Sequence, residues 1–191
     1  IEVALRLDPE SFEVNRAAGY LRFRHNRLPD AARHFEKALS LMETDVSSPT
    51  MLISCYTALG DREALRRAAQ VTLARAQKTL AQDPSNGAAM AFLCNALATL
   101  GQAESAKGWM HRALLIDPDN ANMRYNFACA LACQLQDRDG AIEVLRPLFE
   151  RIGVGLLNHA KADPDLDPVR SDPRFQAMMS AAETRLLAGG N

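Results

Sequence analysis

The constraint that most narrows what this chain can fold into is a phrase that returns at a fixed interval. Leu80-Ala81-Gln82-Asp83-Pro84 and Leu115-Ile116-Asp117-Pro118 end with prolines 34 residues apart, and Ala4-Leu5-Arg6-Leu7-Asp8-Pro9 opens the chain with a third copy. Each copy reads as the end of a helix, because proline cannot supply the next backbone donor and the residue before it is pushed out of the helical region. A period of this length belongs to arrays of helix-turn-helix units, none of which can bury its apolar face alone. The expectation is an all-α, right-handed solenoid of stacked helix pairs, closed by a C-terminal capping helix.

The segments between these endings support that reading. Residues 1–10 read as the remnant of a preceding repeat. Residues 11–152 read as an array of about four units, and 153–191 as a capping segment of the same domain. The first unit runs from Glu13 to Leu41, with Ala31, Phe35 and Ala38 on one helix face. Ser48-Pro49 is expected to supply a helix cap and a first-turn proline for a helix that stops at Gly60. From Asp61 a long helix continues to Gln82, about two turns longer than its counterpart in the third unit, and carries the basic residues Arg62, Arg66, Arg67, Arg75 and Lys78. These read as a solvated face.

In the third unit Ala88–Leu100 and Ala103–Ile116 flank Gly101, and Gly108 reads as the site of a close helix contact. The fourth begins near Asn120, and Pro147 is expected to kink or split its second helix. From Gly153 the pattern breaks into short pieces at Asp163-Pro164, Asp167-Pro168 and Asp172-Pro173, each readable as a helix cap. Only the last leads into a long helix, Arg174 to Leu187, with Phe175, Met178, Met179 and Leu186 as its apolar face.

Composition excludes several classes of function. The 191 residues carry 22 Lys and Arg against 23 Asp and Glu, a formal net charge of −1, which supplies no field for nucleic acid. No apolar run is long enough to span a bilayer, and no signal-peptide pattern opens the chain, so a cytoplasmic setting is expected. The four cysteines, Cys55, Cys94, Cys129 and Cys133, fall in apolar helical stretches and read as reduced core thiols. Cys129 and Cys133 share a helix face at a spacing two metal ligands could use. With His25, His34, His111 and His159 scattered, neither a zinc site nor a Cys–His nucleophile is expected. The aspartates of 163–172 lack the spacing and central glycine of a calcium loop, and Gly153-Val154-Gly155 lacks what a phosphate loop requires. No catalytic residue, cofactor or metal is assigned. Trp109 reads as buried between helices.

With those residues laid out, the chain resembles the tetratricopeptide repeat family over roughly Ile1 to Arg151. Unit three carries the likeness through Leu93, Gly101, Ala106, Ala113 and Pro118. Unit one does so through Gly19, Ala31, Phe35 and Ala38, and unit four through Phe127, Ala128, Leu131 and Ala141. The aromatic positions of the family are sparse, and the linker Glu43–Ser48 replaces its usual proline ending. The stretch Asp163–Phe175 is similar to the closing segment of repeat regions attached to bacterial adenylate cyclases, transcription activators and protein kinases.

The resemblance implies that the first helix of each unit lines a concave groove, which places Arg16, Tyr20, Phe23, Arg24, Asn95, Asn122 and Tyr125 there as candidate peptide-binding residues. Mixed amide, aromatic and guanidinium groups suit a peptide backbone or a carboxylate. Tyr20 and Ser54 stand where the family's peptide-carboxylate clamp has amides, so chaperone-tail binding is not implied. The implied function is a non-catalytic protein-interaction module, the regulatory or sensory arm of a larger bacterial signalling protein such as an adenylate cyclase. The alternatives are a self-associating scaffold, a homodimer formed through the apolar side of the first helix, and, remotely, an enzyme.

Overall fold

In the computed structural model, which describes residues 1–188, helices follow one another throughout the described residues. The last three residues of the expected capping segment, 189–191, lie outside the described residues. After the short α1 (Glu2–Leu7) come four consecutive helix pairs: α2 (Phe12–Arg24) with α3 (Leu28–Leu41), α4 (Ser47–Leu59) with α5 (Arg62–Gln82), α6 (Gly87–Thr99) with α7 (Ala103–Ile116), and α8 (Ala121–Cys129) with α9 (Arg138–Phe149). A π-helical turn, Ala130–Gln134, extends α8. Then follow α10 (Val154–Ala162), a 3-10 turn (Pro164–Leu166), α11 (Asp167–Arg170) and α12 (Pro173–Ala188). Helices touch within each pair, and α4, α6 and α8 touch in sequence, so the first helices of successive pairs stand side by side. This is an all-α solenoid.

Local chemistry sets the boundaries. Gly60 and Gly101 end α4 and α6 at φ of 73° and 78°, a left-handed conformation that costs a residue with a Cβ more than it costs glycine. Asp61, Asn86, Asn120 and Asp137 each accept the backbone N–H three residues on, capping α5, α6, α8 and α9. Asn15 ties down the entry to α2 by donating to the carbonyls of Pro9 at 2.8 Å and Ser11 at 2.9 Å.

The core follows the small residues. Gly19 lets the Phe35 ring pack directly on α2, since a Cβ there would stand 2.7 Å from the ring. Phe23, Phe35, Ile53 and Ala69 form one buried cluster, and Met90, Met123, Phe127, Ile142 and Leu145 a second, larger one that continues into Leu166, Val169 and Phe175. The α12 helix buries Phe175 and Ala182 and rests Met178, Met179 and Leu186 against that cluster. Arg174 is clamped between Asp172 and Asp139.

Five local expectations are corrected. Ser48 does not cap α4: the helix begins at Ser47, two residues earlier than the proline placement suggested, and the Asp45 carboxylate accepts the N–H groups of both Ser47 and Ser48 at 3.0 Å. Pro147 does not split α9, because it sits in the last turn, where the carbonyl it leaves unpaired belongs to the exposed Glu143. Gly108 makes no close contact, as it is exposed with nothing within 4 Å of where a Cβ would stand. Trp109 is half-buried, with the Arg112 guanidinium 5.3 Å from its ring centroid. Of the basic residues on α5, Arg75 departs from the solvated reading by donating to the carbonyls of Leu39, Met42 and Asp45, which closes the turn after α3.

Candidate functional site

The concave side is a groove of about 430 Å³ walled by α2, α4, α6 and α8 and closed by the chain's own segment after Gly153. Tyr20 of α2, Ser47 and Ser54 of α4, Phe92 of α6, and Asn122, Tyr125 and Asn126 of α8 face it. His159 of α10, Asp163 and Asp165 line it from the other side. The groove is therefore a joint product of the repeat helices and a C-terminal segment folded back across them. Leu157, Ala160, Leu166 and Val169 are buried, which anchors that segment through its apolar side.

Polar groups complete the closure. His159 stacks on Phe23 with ring centroids 5.4 Å apart and meets Tyr125 at 5.6 Å and Tyr20 at 6.5 Å. Burial lowers the His159 pKa against the opposing pull of Asp163, so the ring is neutral near pH 7. The Tyr125 hydroxyl donates to Asp163 Oδ2 at 2.6 Å, and the Cys129 thiol points at the same oxygen from 3.7 Å. Asp163 Oδ1 accepts the Asp165 N–H at 3.0 Å. Ser54 donates to Asp165 Oδ2 at 2.5 Å, a bond between residues 111 apart in sequence. From the outside, Arg170 donates to the carbonyls of Lys161 and Asp163 and holds the turn shut.

Electrostatically the floor is acidic and dry. Asp163 and Asp165 are only 3% and 2% exposed. Burial, then the neighbouring Asp163 carboxylate, push Asp165 up to about 8, so that its carboxyl is mostly protonated at neutral pH. Burial and the same carboxylates raise the thiols of Cys129, Cys55 and Cys133, the last two to about 12, which leaves them weak nucleophiles. All four cysteines are free thiols, and Cys133 is the one not fully buried.

The candidate residues distribute unevenly over this surface. Tyr20, Asn122 and Tyr125 line the main groove. Arg16, Tyr20 and Arg24 line a neighbouring hollow with His159. Arg16 is paired with Glu13 at 2.8 Å, and Tyr20 shares a 2.7 Å hydrogen bond with Ser47. Phe23 and Asn95, by contrast, are sealed inside the stack, Phe23 beneath His159 and Asn95 within α6. Neither presents a side chain to a ligand, because close helix packing here covers positions that would otherwise look onto the groove.

His159, Asp163, Asp165 and Ser54 were not legible as site residues. Asp163 does cap the 3-10 turn, and Asp172 accepts the Arg174 N–H at 2.8 Å, so both obey the capping grammar of their sequence. Asp167 instead pairs with Arg170. The available hint was that Asp163 and Asp165 flank a proline with no basic residue between them and the next acid.

Residues 63–125, the stretch from α5 into α8, match the model of the tetratricopeptide repeat family. That is about a third of the chain, covering the third helix pair whole. The comparison with curated protein sequences finds no match. Among solved structures the chain is similar to one described as the crystal structure of MamA, at 18% identity and a TM-score of 0.46, over 78% of this chain and 82% of that one. The helix pairing described above, rather than that likeness, carries the assignment of the fold. Among the described residues no helix is long and apolar enough to cross a membrane. Residues 63–125 are similar in sequence to tetratricopeptide repeats.

Proposed function

We propose that this chain is a non-catalytic, cytoplasmic protein-interaction module that takes an extended peptide into the groove between α2, α4, α6 and α8. The observation that carries the reading is the groove's lining. Tyr20, Ser47, Asn122 and Asn126 bring neutral polar groups of α2, α4 and α8 to the groove, among the apolar side chains of Met51, Phe92 and Leu156. Such a mixture suits a peptide backbone with side-chain pockets. The acidic end at Asp163 favours a peptide that brings a positive group there.

The test is selection of peptides from a random display library on the wild-type chain, followed by binding to a Tyr20→Ala, Asn122→Ala double variant with unchanged circular dichroism. Peptides that bind wild type and lose at least about tenfold in affinity for the variant, roughly 1.4 kcal/mol, support the groove. Peptides indifferent to the variant place binding elsewhere and refute it.

A regulatory or sensory role within a larger bacterial signalling protein such as an adenylate cyclase rests on the likeness of Asp163–Phe175 to the closing segments of such repeat regions. An effector domain encoded in the same open reading frame is its test, and a reading frame without one refutes it. A second reading, self-association, is favoured by α1, whose Val3 and Leu7 are 58% and 81% exposed. Sedimentation equilibrium of wild type and a Val3→Ser, Leu7→Ser variant separates the two, since only self-association gives a mass that depends on concentration and on those residues.

A further inference from the structure

Where the C-terminal segment closes the groove, one thiol and two carboxylates converge. The Cys129 sulfur and carboxylate oxygens of Asp163 and Asp165 all lie within 4.8 Å of one another, and all three residues are buried. Among the described residues no N–H or O–H group donates to Asp165 Oδ1, although the residue is 98% buried and lines the groove. An acceptor sealed from water and left unpaired costs free energy that a bound cation would recover. Among the described residues, His159 is the basic side chain that comes within 4.0 Å of either carboxylate, with Nε2 3.6 Å from Asp163 Oδ2.

We propose that Cys129, Asp163 and Asp165 form a three-ligand binding site for zinc whose fourth position faces the groove, with His159 at its edge. Ligand atoms held 2.0–2.3 Å from a tetrahedral zinc ion stand roughly 3.3–3.7 Å from one another. Cys129 Sγ stands 3.7 Å from Asp163 Oδ2, close to an edge of such a tetrahedron, and His159 Nε2 lies 3.6 Å from the same oxygen. The thiol selects zinc over calcium or magnesium, which prefer oxygen throughout. Tyr125, donating to Asp163 Oδ2, supplies the outer hydrogen bond that orients a ligating carboxylate. The groove itself gives the ion its way in. On binding, the Cys129 proton and any proton on Asp165 leave to solvent. The ion would fasten the 163–165 turn to α8 and hold the groove's lower wall in place, a role independent of whether a peptide binds above it.

The experiment is equilibrium dialysis of the metal-stripped 191-residue chain against buffered zinc, with metal analysis, repeated for Cys129→Ser, Asp165→Asn and the exposed control His111→Ala. Cobalt serves as a spectroscopic stand-in that reports thiolate ligation. The expected result is one zinc per chain in wild type and in His111→Ala, with affinity at least about tenfold weaker in each ligand variant. A thiolate-to-cobalt charge-transfer band should appear in wild type and vanish in Cys129→Ser. Asp165→Asn removes a buried acid rather than a packing group, so it keeps the test decisive if Cys129→Ser fails to fold. No stoichiometric zinc in wild type, zinc binding unaffected by Asp165→Asn, or a cobalt band that survives in folded Cys129→Ser would each overturn the assignment.

Discussion

Tyr125 on α8 and Asp163 at the end of α10 are joined across the concave face by a 2.6 Å hydrogen bond between two buried side chains 38 residues apart. The bond fixes the returning segment at one height along the solenoid. It also explains why Tyr125, nominally a groove residue, is itself almost wholly covered: its phenol is committed to the wall. Burial, followed by the facing carboxylate, raises the Tyr125 pKa, so the hydroxyl keeps its proton and remains the donor.

Removing that donor should be costly. Tyr125→Phe keeps the ring against His159 and strips one hydrogen bond from a buried carboxylate, for which a loss of roughly 1.5–3 kcal/mol is expected. Urea unfolding of the two proteins measures it. A loss below about 0.5 kcal/mol, the range of ordinary surface substitutions, would mean that the phenol does not hold the segment.

Asp165 should make the metal-free protein less stable as pH rises. Its folded pKa, about 8, lies above that of the unfolded chain, so its protonated form is favoured by folding. The contribution is complete below the ordinary carboxylate pKa, near 4, and is lost as pH climbs toward 8. Asp165→Asn, which stays neutral throughout, should flatten this part of the profile and exceed wild type in melting temperature at pH 8. Thermal melts in chelator across pH 4 to 8 check it, and parallel profiles for the two proteins would show that Asp165 titrates normally.

Two glycines within helices should respond oppositely to alanine. At Gly19 the new methyl meets the Phe35 ring at 2.7 Å, inside a cluster with no room to yield, and a destabilisation of about 1–3 kcal/mol is expected. At Gly108 the methyl enters open space on an exposed helix face and should stabilise by roughly 0.5–1 kcal/mol. Denaturant midpoints of both variants decide the pair, and equal signs would contradict the packing described for α2 on α3.

The divide between what sequence conveyed and what it hid follows the range of the interactions. Helix pairs could be read because their signals are local: glycine at Gly60 and Gly101, a cap at Asp61, and a small-residue stripe at Ala31, Phe35 and Ala38. Errors at Ser48 and Pro147 were also local, since the helix starts two residues early with Asp45 accepting the N–H groups of Ser47 and Ser48, and a proline in a final turn removes little. The floor of the groove was hidden for a different reason. Ser54 with Asp165, and Cys129 with Asp163, meet across sequence separations of 111 and 34, and nothing periodic marks such meetings. Asp163 further concealed its part by capping a turn, a role that accounts for its presence without reference to Tyr125. Phe23 and Asn95 failed in the reverse direction, being placed on the groove by their helix and then covered by neighbours.

A groove built jointly by repeat helices and by the segment after Gly153 stands or falls on whether that segment is docked in solution. Backbone hydrogen exchange of Leu157–Leu166, followed residue by residue, measures this most directly. The docked arrangement predicts protection of helical N–H groups in α10 comparable with that of α8, and a selective loss of that protection in Tyr125→Phe. Exchange of α10 at unprotected rates while α6 and α8 remain protected would contradict it, and would leave an open concave face in place of the closed one described.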